Sequence, residues 1–192
     1  MKKIIVSEFV TLDGVMEDPG GSENFKYGGW TWPYWNDEIG KYKHEELFSS
    51  DALLIGRVTY SGFSVAWPNM KDKEGFADRM NSIKKYVVST SLKKSDWNNS
   101  VLINGNIYDE VLKIKKGSGK NILVAGSARL TQTLAQHGLI DEYRILVYPV
   151  ILGIGKKLFE GQMNRQDLKL VDTRSFGSGV IALHYETLKE IK

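Results

Sequence analysis

The sequence predicts an α/β fold: a three-layer α/β/α arrangement whose mostly parallel mixed sheet ends in antiparallel C-terminal edge strands. Two observations predict it. Strand-like and helix-like segments alternate as far as Gly138, which calls for parallel strands joined by crossover helices, and beyond it strand-like segments dominate. At several points, as in ILVAGSARL (122–130), an apolar run breaks off into small and polar residues and helical spacing begins at once. The chain has 192 residues, 42% of them hydrophobic and 11% aromatic, enough for one sizeable core and too little for two, so 1–192 reads as a single domain.

The elements follow in order. Residues 3–10 alternate and are rich in branched side chains, a strand. The following stretch, TLDGVMEDPGGSENFKYGGWTWPYW, is glycine-rich and reads as a long loop. Asn36 or Asp37 can cap a helix running to about Ser49, with Ile39, Tyr42, Leu47 and Phe48 on its apolar face. Residues 52–55 form a second strand, ending at Gly56 and Arg57, and a helix starts near Thr59. Residues 76–83 read as helix, 86–89 and 101–103 as extended, and 108–115 as helix through Val111, Leu112 and Ile114. Residues 122–125 are a short buried strand, and Leu130, Leu134 and Ala135 carry a helix that Gly138 ends. Residues 142–150, 168–176 and 180–188 are three late strands, the last two joined as a hairpin through Gly177, Ser178 and Gly179.

Composition narrows the function. Against 23 acidic residues stand 26 basic ones, a net charge of +3, and the lysines are dispersed in short runs, so no nucleic-acid surface is indicated. The absence of cysteine excludes disulfides, thiolate metal sites and cysteine nucleophiles. His44, His137 and His184 have no paired spacing, which argues against a metal site. Ser7 and Glu8 interrupt the start before a secretory apolar core develops, and no apolar run reaches membrane-spanning length, so a cytoplasmic location is expected.

Three strand ends carry phosphate-suited groups. Gly126 permits close approach to the first amides of a helix, with Ser127 able either to cap that helix or to bond a phosphate oxygen. Gly56, Arg57 and Thr59 combine a glycine, a forked cation and a hydroxyl at a second junction. Ser89 and Thr90 end a third strand, with Lys93 and Lys94 just after. In an open parallel sheet these ends share one side and can converge on one extended ligand. The G-x-G-x-x-G fingerprint and the P-loop are both missing, so a different binding mode is required.

The segments SEFVTLDG, LLIGRVTY, KYVVSTSL, ILVAGSARLTQTL and GLIDEYRILVYPVILGIGKKLF together resemble the dihydrofolate reductase fold. More closely they resemble the reductase domain of the bifunctional riboflavin-biosynthesis deaminase-reductase and its stand-alone bacterial relatives, over roughly residues 2–188. The resemblance implies NADPH as cofactor: the turn Gly126 to Ala128 on the pyrophosphate, Gly56, Arg57 and Thr59 on phosphate, and Ser89 and Thr90 on the ribose phosphate. It implies a homodimer and a hydride transfer to a small heterocyclic or sugar-linked acceptor, as in 5-amino-6-(5-phosphoribosylamino)uracil reduction. No zinc-ligand pattern of the deaminase half is present.

For the chemistry, Asp13 of Thr-Leu-Asp-Gly matches a family position near the nicotinamide and is the leading proton donor, although Asp-Gly is equally a turn pair. Trp30, Trp32 and Trp35 can stack on a planar substrate or close a core or an interface. Two alternatives stand beside the reductase. One is folate reduction, which needs Asp37 or Glu38 in place of the acid missing near Gly40. The other is a module that binds NADPH without turnover.

Overall fold

The computed structural model describes residues 1–161 and 163–188, so residue 162 and residues 189–192 of the single domain read from the sequence lie outside the described residues. Eight strands form one sheet in the order β4-β3-β2-β5-β1-β6-β8-β7: β1 (Ile4–Thr11), β2 (Ser50–Gly56), β3 (Lys84–Val88), β4 (Ser100–Ile103), β5 (Asn121–Val124), β6 (Glu142–Tyr148), β7 (Leu168–Ser175) and β8 (Ile181–Thr187). The six from β4 across to β6 are parallel. β8 inserts antiparallel between β6 and β7, so the C-terminal hairpin places its second strand inside and its first at the edge.

Among the described residues five α-helices cover the sheet: α1 (Asp37–Phe48), α2 (Arg57–Ala66), α3 (Phe76–Ser82), α4 (Ile107–Lys116) and α5 (Ala128–Gln136). Central strands buried on both faces supply two cores. On one face Leu47 of α1, Tyr60 of α2 and Met80 of α3 pack on Ile5, Leu53, Ile55 and Leu123. On the other, Val111 of α4 and Leu130 and Leu134 of α5 pack on Ile4, Val6, Leu54, Ile122 and Val124. Fully burying one such aliphatic side chain is worth about 1.5–3 kcal/mol, which explains why these strands need no local help from turns. A third cluster, with Trp30, Ile39, Tyr148 and Phe176, continues the α1 face over β6 and β8. The three layers expected from the sequence are therefore present. Among the described residues no helix is long and apolar enough to cross a membrane.

The family-like segment Leu139–Glu142 works at the far end of the sheet. Asp141 accepts the Ile4 amide at 2.8 Å and the Lys115 ammonium, and Glu142 takes Lys3 at 2.7 Å, Arg144 at 2.9 Å and His184 at 3.0 Å. Burial of the Glu142 carboxyl opposes its ionisation, yet Lys3 and Arg144 outweigh that and hold it below the usual carboxylate range.

Candidate functional site

β1 and β5 lie side by side, but their pairing runs only from Ile4↔Ile122 to Val6↔Val124, whereas β1 continues against β6 to Thr11↔Tyr148. The chain leaves β1 for α1 on one face and leaves β5 for α5 on the other. Adjacent parallel strands whose connections depart to opposite faces open a crevice at their carboxyl ends, where open α/β sheets take ligands. β2 lies on the other side of β5 and sends α2 to the α1 face. The starts of α2 and α5 therefore flank the end of β5 from opposite faces.

The two junctions are pressed together. The Ser127 hydroxyl accepts the Gly56 amide at 2.8 Å and shares a hydrogen bond with Thr59 Oγ1 at 2.8 Å. A Cβ on Gly56 would lie 2.6 Å from Ser127 Oγ, and one on Gly126, whose φ is +71°, would lie 2.6 Å from Thr59 Oγ1. Both positions thus exclude a side chain. The structure corrects one of the two expectations for Ser127: its hydroxyl does not cap α5 and instead locks the two junctions together. Ala128 opens α5. No side chain caps α2 or α5, and neither has an acid in its first turn. Arg57 and Arg129, in those first turns, are exposed, and their guanidinium groups have no hydrogen-bond or ion-pair partner among the described residues. Uncapped amides, helix dipoles and free guanidinium groups make a seat for anions.

Ser89 and Thr90 follow β3, next to β2. Thr90 is exposed, but Ser89 is buried and its hydroxyl accepts the Ser91 and Leu92 amides at 3.2 and 3.0 Å, so it shapes the turn. Beside that turn a cavity of about 790 Å³ is lined by Tyr60, Ser64, Leu92, Lys93, Lys94 and Trp97, among others.

The long loop between β1 and α1 separates the three tryptophans. Trp30 is buried, donates its indole N–H to the Glu17 carbonyl at 2.8 Å and stands edge-on to Tyr148, so it closes the core and is withdrawn as a substrate contact. Trp32 and Trp35 are exposed, their rings 6.1 Å apart, and Trp35 meets the edge of Phe9 at 6.1 Å. Asp13 is corrected too. Its carboxylate accepts the Thr11 hydroxyl at 2.6 Å and the Leu152 and Gly153 amides at 3.3 and 2.9 Å, which hold it below the usual range. It has no proton to give near neutral pH, and it braces the loop against Pro149–Gly155. Glu38 turns to the Gly177 amide, and Asp37 is exposed at the start of α1, so neither is an acid aimed into the crevice.

Sequence reasoning missed Glu8, Arg129 and Lys43. Glu8 is buried on β1 two residues past the last β1–β5 pair. Its Oε2 accepts the Gly126 amide at 3.1 Å and its Oε1 has no partner. Burial pushes the carboxyl up to about 8 against the pull of that amide. On the α1 face, Lys43 donates to Ser7 at 2.5 Å and Glu46 at 2.6 Å and stands 5.1 Å over the Phe9 ring. An acid inside a strand buried on both faces was the readable signal for Glu8; Lys43 on α1 carried none.

This sheet order, with its crevice at the β5 and β1 ends, defines the class: a dihydrofolate reductase-like α/β protein. The chain belongs to the RibD C-terminal domain family, whose model matches residues 2–182. It is 35% identical to YyaP of Bacillus subtilis (strain 168) over 96% of this chain and 94% of that protein, and 28% identical to YwjB of the same organism over 96% and 97%. Among solved structures it resembles a pyrimidine reductase-like protein of Corynebacterium diphtheriae (TM-score 0.65, 12% identity, 98% of this chain and 93% of that one). It also resembles RibD of Acinetobacter baumannii (TM-score 0.70, 15% identity), covering 98% of this chain and 58% of that one.

Proposed function

We propose that the protein is an NADPH-dependent reductase that passes a hydride to a small heterocyclic or sugar-linked acceptor, in the manner of riboflavin-pathway 5-amino-6-(5-phosphoribosylamino)uracil reductases. One observation carries the reading: the uncapped starts of α2 and α5, each with a free arginine, meet over the end of β5. The pyrophosphate would sit on Gly126–Ala128 and the first turn of α2, with Arg57 and Arg129 supplying charge. The adenosine end would lie toward Thr90, Lys93 and the cavity beside Tyr60. A hydroxyl and cations suit a 2′-phosphate, whereas NADH recognition would call for a carboxylate on the ribose. The nicotinamide end would enter the β1–β5 crevice, where the bound cofactor supplies the hydride. Phe9, Trp35 and Lys43 on the α1 face are the residues of this chain suited to hold a planar acceptor against it.

Paired titration with NADPH and NADH, read by tryptophan quenching, tests the proposal. Two charge-assisted hydrogen bonds to the 2′-phosphate, each worth about 1.5–3 kcal/mol, give a preference for NADPH above roughly a hundredfold. Failure of both nucleotides to bind at millimolar concentration overturns it. NADPH oxidation with a panel of heterocycles then separates an enzyme from a module that binds without turnover, and dihydrofolate in the panel tests folate reduction. A homodimer belongs to the same reading, supported by the exposed Leu168, Leu170 and Val171 of edge strand β7, and light scattering checks it.

A further inference from the structure

Glu8 is the one acid among the described residues whose carboxyl bonds the Gly126 turn, and nothing in the phosphate seat uses it. The groups around it leave its second oxygen free. From β5 comes the Gly126 amide, which occupies Oε2. From β6, the residue in register is the apolar Ile145. From α1 come Lys43, whose charge favours ionisation of Glu8 but whose ammonium is hydrogen-bonded to Glu46 and Ser7, and Glu46, which repels a second negative charge. Arg144 is turned to Glu142 and Glu46. Burial outweighs the Gly126 amide and the Lys43 charge, and no cation is paired with the carboxyl, so it keeps its proton, and with Oε2 accepting from an amide the proton resides on Oε1. Ile145, the register partner of Glu8, and Val10 also line a cavity of about 280 Å³ that is completed by Gly14, Leu158 and Phe159 and has two charged residues, Asp13 and Lys157, in its wall. An orphaned O–H therefore stands where β1 and β5 part.

We propose that Glu8 is a specificity residue for the ring end of the ligand, donating a hydrogen bond from Oε1 to the carboxamide oxygen of a nicotinamide seated in the β1–β5 crevice. The proposal rests on the dinucleotide reading above and deepens it. A ring oxygen offered to Oε1 satisfies a donor that has no other partner, and an ionised Glu8 would repel the same oxygen. Ring recognition accordingly weakens as pH rises through the range where this carboxyl titrates, about 8 in the free protein. Gly126 gains a second function: its amide fixes which Glu8 oxygen is left without a partner.

The test measures dissociation constants of NADPH and of adenosine 2′,5′-bisphosphate, which lacks the nicotinamide, for the full chain and for Glu8→Gln and Glu8→Ala between about pH 7 and pH 9.5. Glutamine keeps an acceptor for Gly126 and a donor for the ligand but does not titrate. The expected result is that wild-type NADPH binding weakens about tenfold over that range while bisphosphate binding does not, a difference of about 1.4 kcal/mol. Glu8→Gln should hold NADPH within about threefold of wild type at the lower pH with a flat profile, and Glu8→Ala should lose about tenfold for NADPH alone. Equal loss of both probes in Glu8→Ala, or the wild-type pH profile persisting in Glu8→Gln, overturns the assignment. Bisphosphate binding as tight as NADPH overturns ring recognition while leaving the phosphate seat standing. Failure of both probes on the wild-type protein overturns the dinucleotide reading and this proposal with it.

Discussion

The helices α1 and α4 and the helices α2 and α5 all start on the side of the sheet where the parallel strands end, yet they begin differently. α1 opens with Asn36 accepting the Ile39 amide at 3.0 Å and with Asp37 and Glu38 in its first turn. α4 opens with Asn106 accepting the Asp109 amide at 3.3 Å and with Asp109 and Glu110. Even the short α3 has Asp72, whose carboxylate takes the Phe76 and Ala77 amides. α2 and α5 have no side-chain cap, no acid, and an arginine instead. A cap is worth about 1 kcal/mol and first-turn acids a few tenths more, so stability was available at both helices and is not taken. Capped starts are finished structures, whereas the uncapped pair around β5 is left open to an anion.

The sharpest way to break this contrast is to fill the space between the two open starts. Gly126→Ala forces a Cβ to within 2.6 Å of Thr59 Oγ1 at a φ of +71°, so the junction must shift. NADPH affinity should fall more than about a hundredfold with a stability loss of roughly 1–3 kcal/mol, measured by titration and chemical denaturation. Removing charge comes next. Arg57→Ala and Arg129→Ala should each weaken NADPH by about tenfold to a hundredfold at low salt without destabilising the fold, since neither side chain has a partner. If Arg57 reaches the 2′-phosphate, its loss weakens NADPH far more than NADH; if it serves the pyrophosphate, both fall alike. A smaller effect comes from converting an open start into a capped-type one. Val58 is exposed in the first turn of α2, and Val58→Glu should stabilise the helix by about 0.3–1 kcal/mol while weakening NADPH several-fold. Tighter binding in that variant would contradict the anion seat.

Much of this contrast was legible in the amino-acid sequence. Asn36 with Asp37 and Glu38 announces a capped helix and Gly56-Arg57 an open one, because glycine and arginine act locally, whereas Gly126-Ser127 leaves both readings open and only the path of the Ser127 hydroxyl to Gly56 and Thr59 decides it. The alternation of strands and helices placed β1, β2 and β5 in one parallel sheet for the same reason: each is a run of branched residues ended by a turn signal. The order β6-β8-β7 was not legible, since periodicity carries no information about which hairpin strand lies inside. Trp30 and Trp35 look alike in the chain, and only the path of the loop sends one into the core beside Tyr148 and leaves the other at Phe9. Asp13 shows the same limit: its Thr-Leu-Asp-Gly setting fits a proton donor and a brace equally, and the Leu152 and Gly153 amides decide it from the other end of the chain.

The smallest effect on nucleotide affinity is the control that gives the comparison its meaning. Asn106→Ala removes a cap of the same kind that α2 and α5 lack, on a helix that follows the edge strand β4, with β3 and β2 between it and β5. The loss should be about 1 kcal/mol of stability, read as a denaturation midpoint shift at unchanged slope. NADPH affinity should stay within experimental error. α4 carries Asp109 and Glu110 at its start and Lys113, Lys115 and Lys116 at its end, so its dipole is already answered by its own side chains. An equal loss of nucleotide affinity in Asn106→Ala and Arg57→Ala would mean that binding follows general stability. The open starts of α2 and α5 would then be two weak helix ends and not a seat.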